Sequence, residues 1–250
     1  MALAVALGLP VFTWYGWYRW AGYSEATLLA VQLFGLAAAV ALVAGFGLGW
    51  RRLGLGLRHA GQAVAVGAVA YVVVALIATV LNLAANAGLG VLRPSYDWWP
   101  FVNNWFLTAG GEELLFAAVL FTLVRSRLPA TRGWLAVIIV ALLFGLAHLP
   151  GYLAIGYDAG GVAGRLSLNV ASWLIFGTIY LLSGNLWLVI VAHASTDYGL
   201  TPLITQEPLL GLVFMATLVA GSWWLGRQCR LRSPRQDFTG PRKESGHRAP

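Results

Sequence analysis

Gly110-Gly111-Glu112-Glu113-Leu114-Leu115-Phe116 places two adjacent carboxylates inside an apolar run that begins near Trp98 and ends only at Arg125. Roughly 20 apolar residues are enough for a helix to cross the hydrocarbon layer, so this run reads as a membrane span. A charged group near the middle of such a helix costs at least about 2.5 kcal/mol on insertion scales. Two in succession therefore mark a place where the carboxylates serve some purpose.

Composition extends that reading to the whole chain. Apolar residues make up 59%, mean hydropathy is +0.75, and only 10% of residues are charged; about 25% is usual for soluble domains. The apolar runs are continuous and do not alternate, which argues against a β-barrel. Helices satisfy their own backbone hydrogen bonds in lipid, so the fold class is all-α, a polytopic integral membrane protein. Eight segments fall near 1–20, 26–49, 60–83, 100–124, 133–150, 166–183, 185–201 and 208–226. They form a transmembrane domain over 1–227. Residues 228–250, rich in Arg, Ser, Pro and Gly, read as a basic and disordered cytoplasmic tail.

Local signals punctuate these segments. Trp14, Tyr15, Trp17, Tyr18 and Trp20 resemble an interfacial aromatic belt, as do Trp98, Trp99 and Trp105. Ser24 is a candidate cap for the second helix. The stretch from Pro150 to Gly164 reads as a Gly-rich loop, and Ser183-Gly184 as the tightest turn. The N-terminus has no basic n-region, so Met1 to Trp20 reads as a first span and not as a cleaved signal.

The formal charge of +7 is unevenly placed. Arg51, Arg52 and Arg58 follow the second segment, Arg125, Arg127 and Arg132 follow the fourth, and seven basic residues lie from Arg227 to Arg248. Only Arg19, Arg93 and Arg165 fall on the opposite side. This positive-inside bias puts both termini in the cytoplasm of a cell-membrane protein. It also reads as orientation and not as nucleic-acid binding. Arginine's excess over lysine hints at a GC-rich bacterial genome. The single Cys229 excludes an intrachain disulfide and a cysteine-rich metal cluster.

Five ionisable side chains of catalytic type fall inside apolar segments: Glu112, Glu113, His148, His193 and Asp197. His193 and Asp197, four apart, share a helix face. Glu112 and Glu113 point roughly 100° apart, so at most one aims squarely at a given point. Phe144, four before His148, covers the turn below that imidazole. Such a set suits water activation by a carboxylate with an imidazole alongside, and oxyanion stabilisation by a second imidazole. It would equally suit a divalent metal such as zinc, held by Glu112, His148 and His193. On this topology Glu112 lies mid-bilayer, whereas His148 lies near the outer end of its span.

Glu112-Glu113, Phe144-x-x-x-His148 and His193-x-x-x-Asp197, each on its own span and in this order, resemble the motifs of the CPBP (Abi) intramembrane protease family. That family includes the type II CAAX prenyl endopeptidases and bacteriocin-immunity proteins. Leu143-Phe144-Gly145-Leu146-Ala147-His148 and Asn185-Leu186-Trp187 add to the likeness, which covers about residues 100–200. The resemblance implies an intramembrane endopeptidase, a (metallo)hydrolase with Glu112, His148, His193 and Asp197 as catalytic groups, supported by Glu113 and Phe144. It implies the lipid bilayer and a membrane-associated peptide, prenylated in the best-known case, as partners. One position departs: Ala117 stands where the first motif places arginine. That departure keeps open a catalytically silent scaffold or immunity protein. A proton-coupled transporter, also built on buried carboxylates and histidines, is a third reading.

Overall fold

The computed structural model describes residues 24–91 and 97–232. The expected first span, Arg93 and residues 233–250 of the tail lie outside them. Eight elements follow in order: α1 (Glu25–Gly45), α2 (Leu57–Ala85), α3 (Trp98–Ser126), α4 (Gly133–Ile155), α5 (Ala159–Ser183), α6 (Leu186–Tyr198), the short α7 (Leu203–Gln206) and α8 (Pro208–Arg232). No strand occurs among the described residues. The chain is an all-α, multi-pass membrane protein. Six of its helices, α1 to α5 and α8, are long and apolar enough to cross a bilayer.

The seventh expected span is shorter than a crossing. α6 has 13 residues, about 20 Å at 1.5 Å per residue, against about 30 Å of hydrocarbon. It survives there because protein and not lipid surrounds it, with Leu186, Leu188, Val189, Ala192 and His193 all buried. Asn185 starts it, its side chain accepting from the Leu188 N–H at 3.1 Å while donating to the His59 carbonyl at 2.9 Å. Gly54, at φ +78, lies so close to the backbone of Gly184 to Leu186 that any Cβ would collide. The α1–α2 loop and the start of α6 are thereby clamped at one end of the bundle.

That end carries the basic loops. Gly133, beside Arg125, packs on Leu181, placing the α3–α4 turn next to the end of α5. α8 runs antiparallel to α2, with Phe214 on Tyr71 and Gly221 on Val66, which brings Arg227 towards Arg58. All three clusters of positive charge in the described residues therefore share a face.

The loop expected after Pro150 is replaced by helix. α4 continues through Pro150 to Ile155 and stops at Gly156, whose φ is +90. α5 begins at once, with Asp158 capping the Gly161 N–H at 2.7 Å. A membrane helix tolerates an internal proline when neighbouring groups satisfy the freed carbonyl, so the positive-φ glycine sets the boundary. Ser24, by contrast, caps α1 as expected, accepting from the Thr27 N–H at 3.2 Å.

α3 holds the most buried span, and it is not a uniform helix. Two π-helical stretches, Asn103–Thr108 and Leu114–Phe121, flank a short α-helical piece, Ala109–Glu113. π-type turns are uncommon and cluster at functional sites. Here they bracket the two glutamates.

Candidate functional site

The sequence expected His148 near a helix end and Glu112 mid-bilayer, and the continuation of α4 removes that mismatch. His148 lies 15 residues from Gly133 and Glu112 lies 14 from Ser126, so both sit well inside their helices. The two side chains are level. Glu112 Oε2 stands 3.8 Å from His148 Nε2 and 3.9 Å from His193 Nε2. Asp197 Oδ2 lies 3.4 Å from the same His193 nitrogen. Four groups from three helices, α3, α4 and α6, thus face one small volume.

Each imidazole is held from behind. His148 Nδ1–H donates to the Phe144 carbonyl at 2.7 Å, one turn back on α4, which turns Nε2 towards Glu112. His193 Nδ1 shares a 2.8 Å hydrogen bond with Glu113 Oε1. The two adjacent glutamates therefore address one ring from different directions, Glu113 at Nδ1 and Glu112 towards Nε2. This is how side chains 100° apart on a helix can serve a single imidazole.

Aromatic side chains fix the rings further. Phe176 stacks on His193 with centroids 5.0 Å apart and planes 20° from parallel. Phe144 meets His193 edge-on at 6.0 Å and lies tilted against His148 at 4.6 Å. Phe116 and Trp173 pack on Phe144 in turn. Phe144, singled out by its spacing, is a shared wall for both histidines. Phe176 had no sequence signal, since an aromatic in an apolar span is indistinguishable from core.

Exposure grades across the cluster. The Glu113 side chain is fully buried, His193 is 7% exposed, Glu112 14%, His148 17% and Asp197 32%. The cluster is thus closed at Glu113 and open at Asp197. A cavity between α1, α3 and α4 opens onto Glu112 and His148 and is otherwise mostly apolar.

Glu113 has found a partner without the absent arginine. Ala117 is fully buried, and π-helical turns beyond Glu113 carry it out of simple i+4 register. Arg125 is committed elsewhere, donating to the carbonyls of Leu128, Pro129 and Ala130. His193 takes Glu113 Oε1, and Oε2 is buried with no hydrogen-bond partner among the described residues.

The trio Glu112, His148 and His193 does not fit a metal as it stands. Tetrahedral zinc with bonds of about 2.0–2.1 Å sets its donors about 3.4 Å apart, whereas Glu112 is 3.8 and 3.9 Å from the two imidazoles. Among the described residues no group of three or more His, Cys, Asp or Glu is gathered to hold an ion. The gaps are also too long for direct hydrogen bonds and of a size that a bridging water closes.

Comparison with known proteins agrees with the motifs. Residues 94–199 match the family model described as type II CAAX prenyl endopeptidase Rce1-like. All six singled-out side chains fall within that stretch, which supports the CPBP assignment. No curated protein and no solved structure matches the chain.

Proposed function

We propose that this CPBP-type chain is an intramembrane endopeptidase that hydrolyses a peptide bond of a membrane-associated substrate. The reading is carried by the convergence of Glu112, His148, His193 and Asp197 beside a cavity that Glu112 and His148 line. A water between Glu112 Oε2 and His148 Nε2 gives a proton to the carboxylate as its oxygen attacks the scissile carbonyl. The carbonyl π electrons move to oxygen, and the resulting oxyanion is met by an N–H at His193 Nε2. The carboxylates of Asp197 and Glu112 face the same nitrogen. Glu113 holds the opposite nitrogen, and so sets the tilt of the ring. Collapse of the intermediate breaks the C–N bond, and Glu112 returns its proton to the leaving amine. The products are a new carboxylic acid, which then gives its proton to water, and a new amine.

The family description makes a prenylated CAAX peptide the first substrate to try. Glu112→Ala and His193→Ala should each abolish its cleavage by purified protein in detergent while leaving the melting temperature within a few degrees. Cleavage that survives both changes would end the proposal.

A silent scaffold is the second reading, and Ala117 together with the unpartnered Glu113 Oε2 favours it. It requires that peptide binding persist in Glu112→Ala and that the unaltered chain show no turnover.

A further inference from the structure

The cavity holds a polar pair that neither the motifs nor the water-activating chemistry uses. Gln32 on α1 is 8% exposed, and its Nε2 donates to Thr108 Oγ1 at 2.6 Å. Its Oε1 is buried with no hydrogen-bond partner among the described residues. Both residues line the cavity that Glu112 and His148 open onto. Native structures rarely leave a buried side-chain acceptor unmatched, and such exceptions ask for an explanation. Thr108 commits one side of the carboxamide, so the acceptor is held in a fixed place.

Position gives the acceptor a meaning. Thr108 precedes Glu112 by four residues, hence by one turn of the same helix face, about 5–6 Å between Cβ atoms. Two residues of an extended peptide cover about 6.7 Å. A substrate strand lying along α3 with its scissile carbonyl at Glu112 would bring a flanking backbone N–H to Gln32. Peptide taken from a bilayer has strong reason to find such a group, because each unpaired N–H in hydrocarbon is costly. α1 is held against α3 here, with Leu36 in contact at Gly111, so the carboxamide is presented by a packed helix and not a loop. Gln32 also lies outside the matched residues 94–199.

We infer that Gln32, oriented by Thr108, is a substrate-binding residue that accepts a hydrogen bond from a backbone N–H flanking the cleaved bond. The inference rests on the endopeptidase reading and adds to it the requirement that substrate bind unwound, by its main chain.

The test uses the full chain in phosphatidylcholine vesicles and an internally quenched farnesyl-CAAX peptide, with esters replacing its backbone amides one at a time. Each ester deletes one N–H. The unaltered chain should lose about tenfold in kcat/KM, chiefly through KM, at one ester position. Gln32→Met should lose a similar factor on the all-amide peptide and become indifferent to that same ester. Thr108→Val, which frees the carboxamide, should show a weaker form of the same coupling and covers the case in which Gln32→Met folds poorly. Esters that weaken all three proteins alike, or Gln32→Met cleaving as the unaltered chain does, would overturn the inference. If nothing is cleaved, the hydrolase reading fails separately. Anisotropy of a fluorescein-labelled copy of each peptide then reads the same coupling in binding, and its absence there also overturns the subsite.

Discussion

Glu113 and His193 stand 80 positions apart in the chain and share a 2.8 Å hydrogen bond at the dry end of the site. Glu113 is fully buried, and in the proposed endopeptidase it acts through the ring it holds. Replacing it with leucine leaves the His193 Nδ1 donor buried and unpaired, which costs about 1–3 kcal/mol. Loss of the partner that orients a metal-bound histidine typically lowers activity about 10–100-fold, and an imidazole oriented in the same way without a metal should respond on that order. We expect Glu113→Leu to reduce kcat by that order with KM unchanged, and Glu113→Gln, which keeps an acceptor for the ring, to fall in between. Steady-state kinetics on purified protein separate the two parameters. A raised KM with kcat intact would contradict the assignment.

Phe176 and Phe144 confine the His193 ring from its face and its edge. Phe176→Ala would open a cavity beside fully buried Trp173 and cost about 3–5 kcal/mol, so its effect on catalysis would be lost in its effect on folding. Phe176→Leu keeps most of the volume and removes the stacking plane. It should cost less than about 2 kcal/mol and yet lower kcat more than the same change at Phe214, which is equally buried but packs on Tyr71 instead. Equal losses at the two positions in cleavage assays would show that stacking on His193 is without consequence.

Gly54 and Gly47 separate backbone conformation from close approach. Both have positive φ, +78 and +63, but a Cβ on Gly47 meets nothing within 4 Å whereas one on Gly54 strikes the backbone of Gly184 to Leu186. Gly47→Ala should therefore cost only the left-handed penalty, about 1–2 kcal/mol. Gly54→Ala adds a collision with main chain that cannot turn aside. It should lower the melting temperature further and reduce cleavage as well, because α6 is clamped there and carries His193. Thermal unfolding in detergent, followed alongside cleavage, compares the two. Matching losses would mean that the clamp does not set the position of α6.

Much of this was legible in the chain before any coordinates. Ionisable residues are so few in the apolar segments that rarity alone picked out Glu112, Glu113, His148, His193 and Asp197, and the structure brings all five together. Helix periodicity likewise predicted the sharing of a face by His193 and Asp197. What sequence could not give was depth. It took Pro150 for an end, since proline breaks soluble helices, and so set His148 near the outer end of its span. The true stop at Gly156 rests on a positive φ that composition does not reveal. It also took α6 for a full span, because hydropathy reports how apolar a segment is and not whether lipid or protein surrounds it. Gln32 and Phe176 escaped notice for a related reason, as a lone glutamine or phenylalanine in an apolar helix carries no periodic signal.

The basic loops at Arg51–Arg58 and Arg125–Arg132 meet at one end of the bundle, on the contacts of Gly54 with Gly184 and of Gly133 with Leu181. Asn86 and Asp158 terminate or open helices at the other. The positive-inside rule assigns the basic end to the cytoplasm. With Cys229 replaced by serine, single cysteines at Arg52 and Arg127 should resist a membrane-impermeant maleimide in intact cells and react after permeabilisation, whereas cysteines at Asn86 and Asp158 should react from outside. Because α6 runs from Asn185 at the basic end towards Tyr198, whose hydroxyl accepts from the Asp97 N–H at 3.2 Å, a cysteine at Leu200 should be no more accessible from the cytoplasm than one at Asn86. Labelling of positions 52 and 127 from outside would invert the assignment. Labelling of 52 and 127 from opposite sides would break the shared face on which the helix order depends.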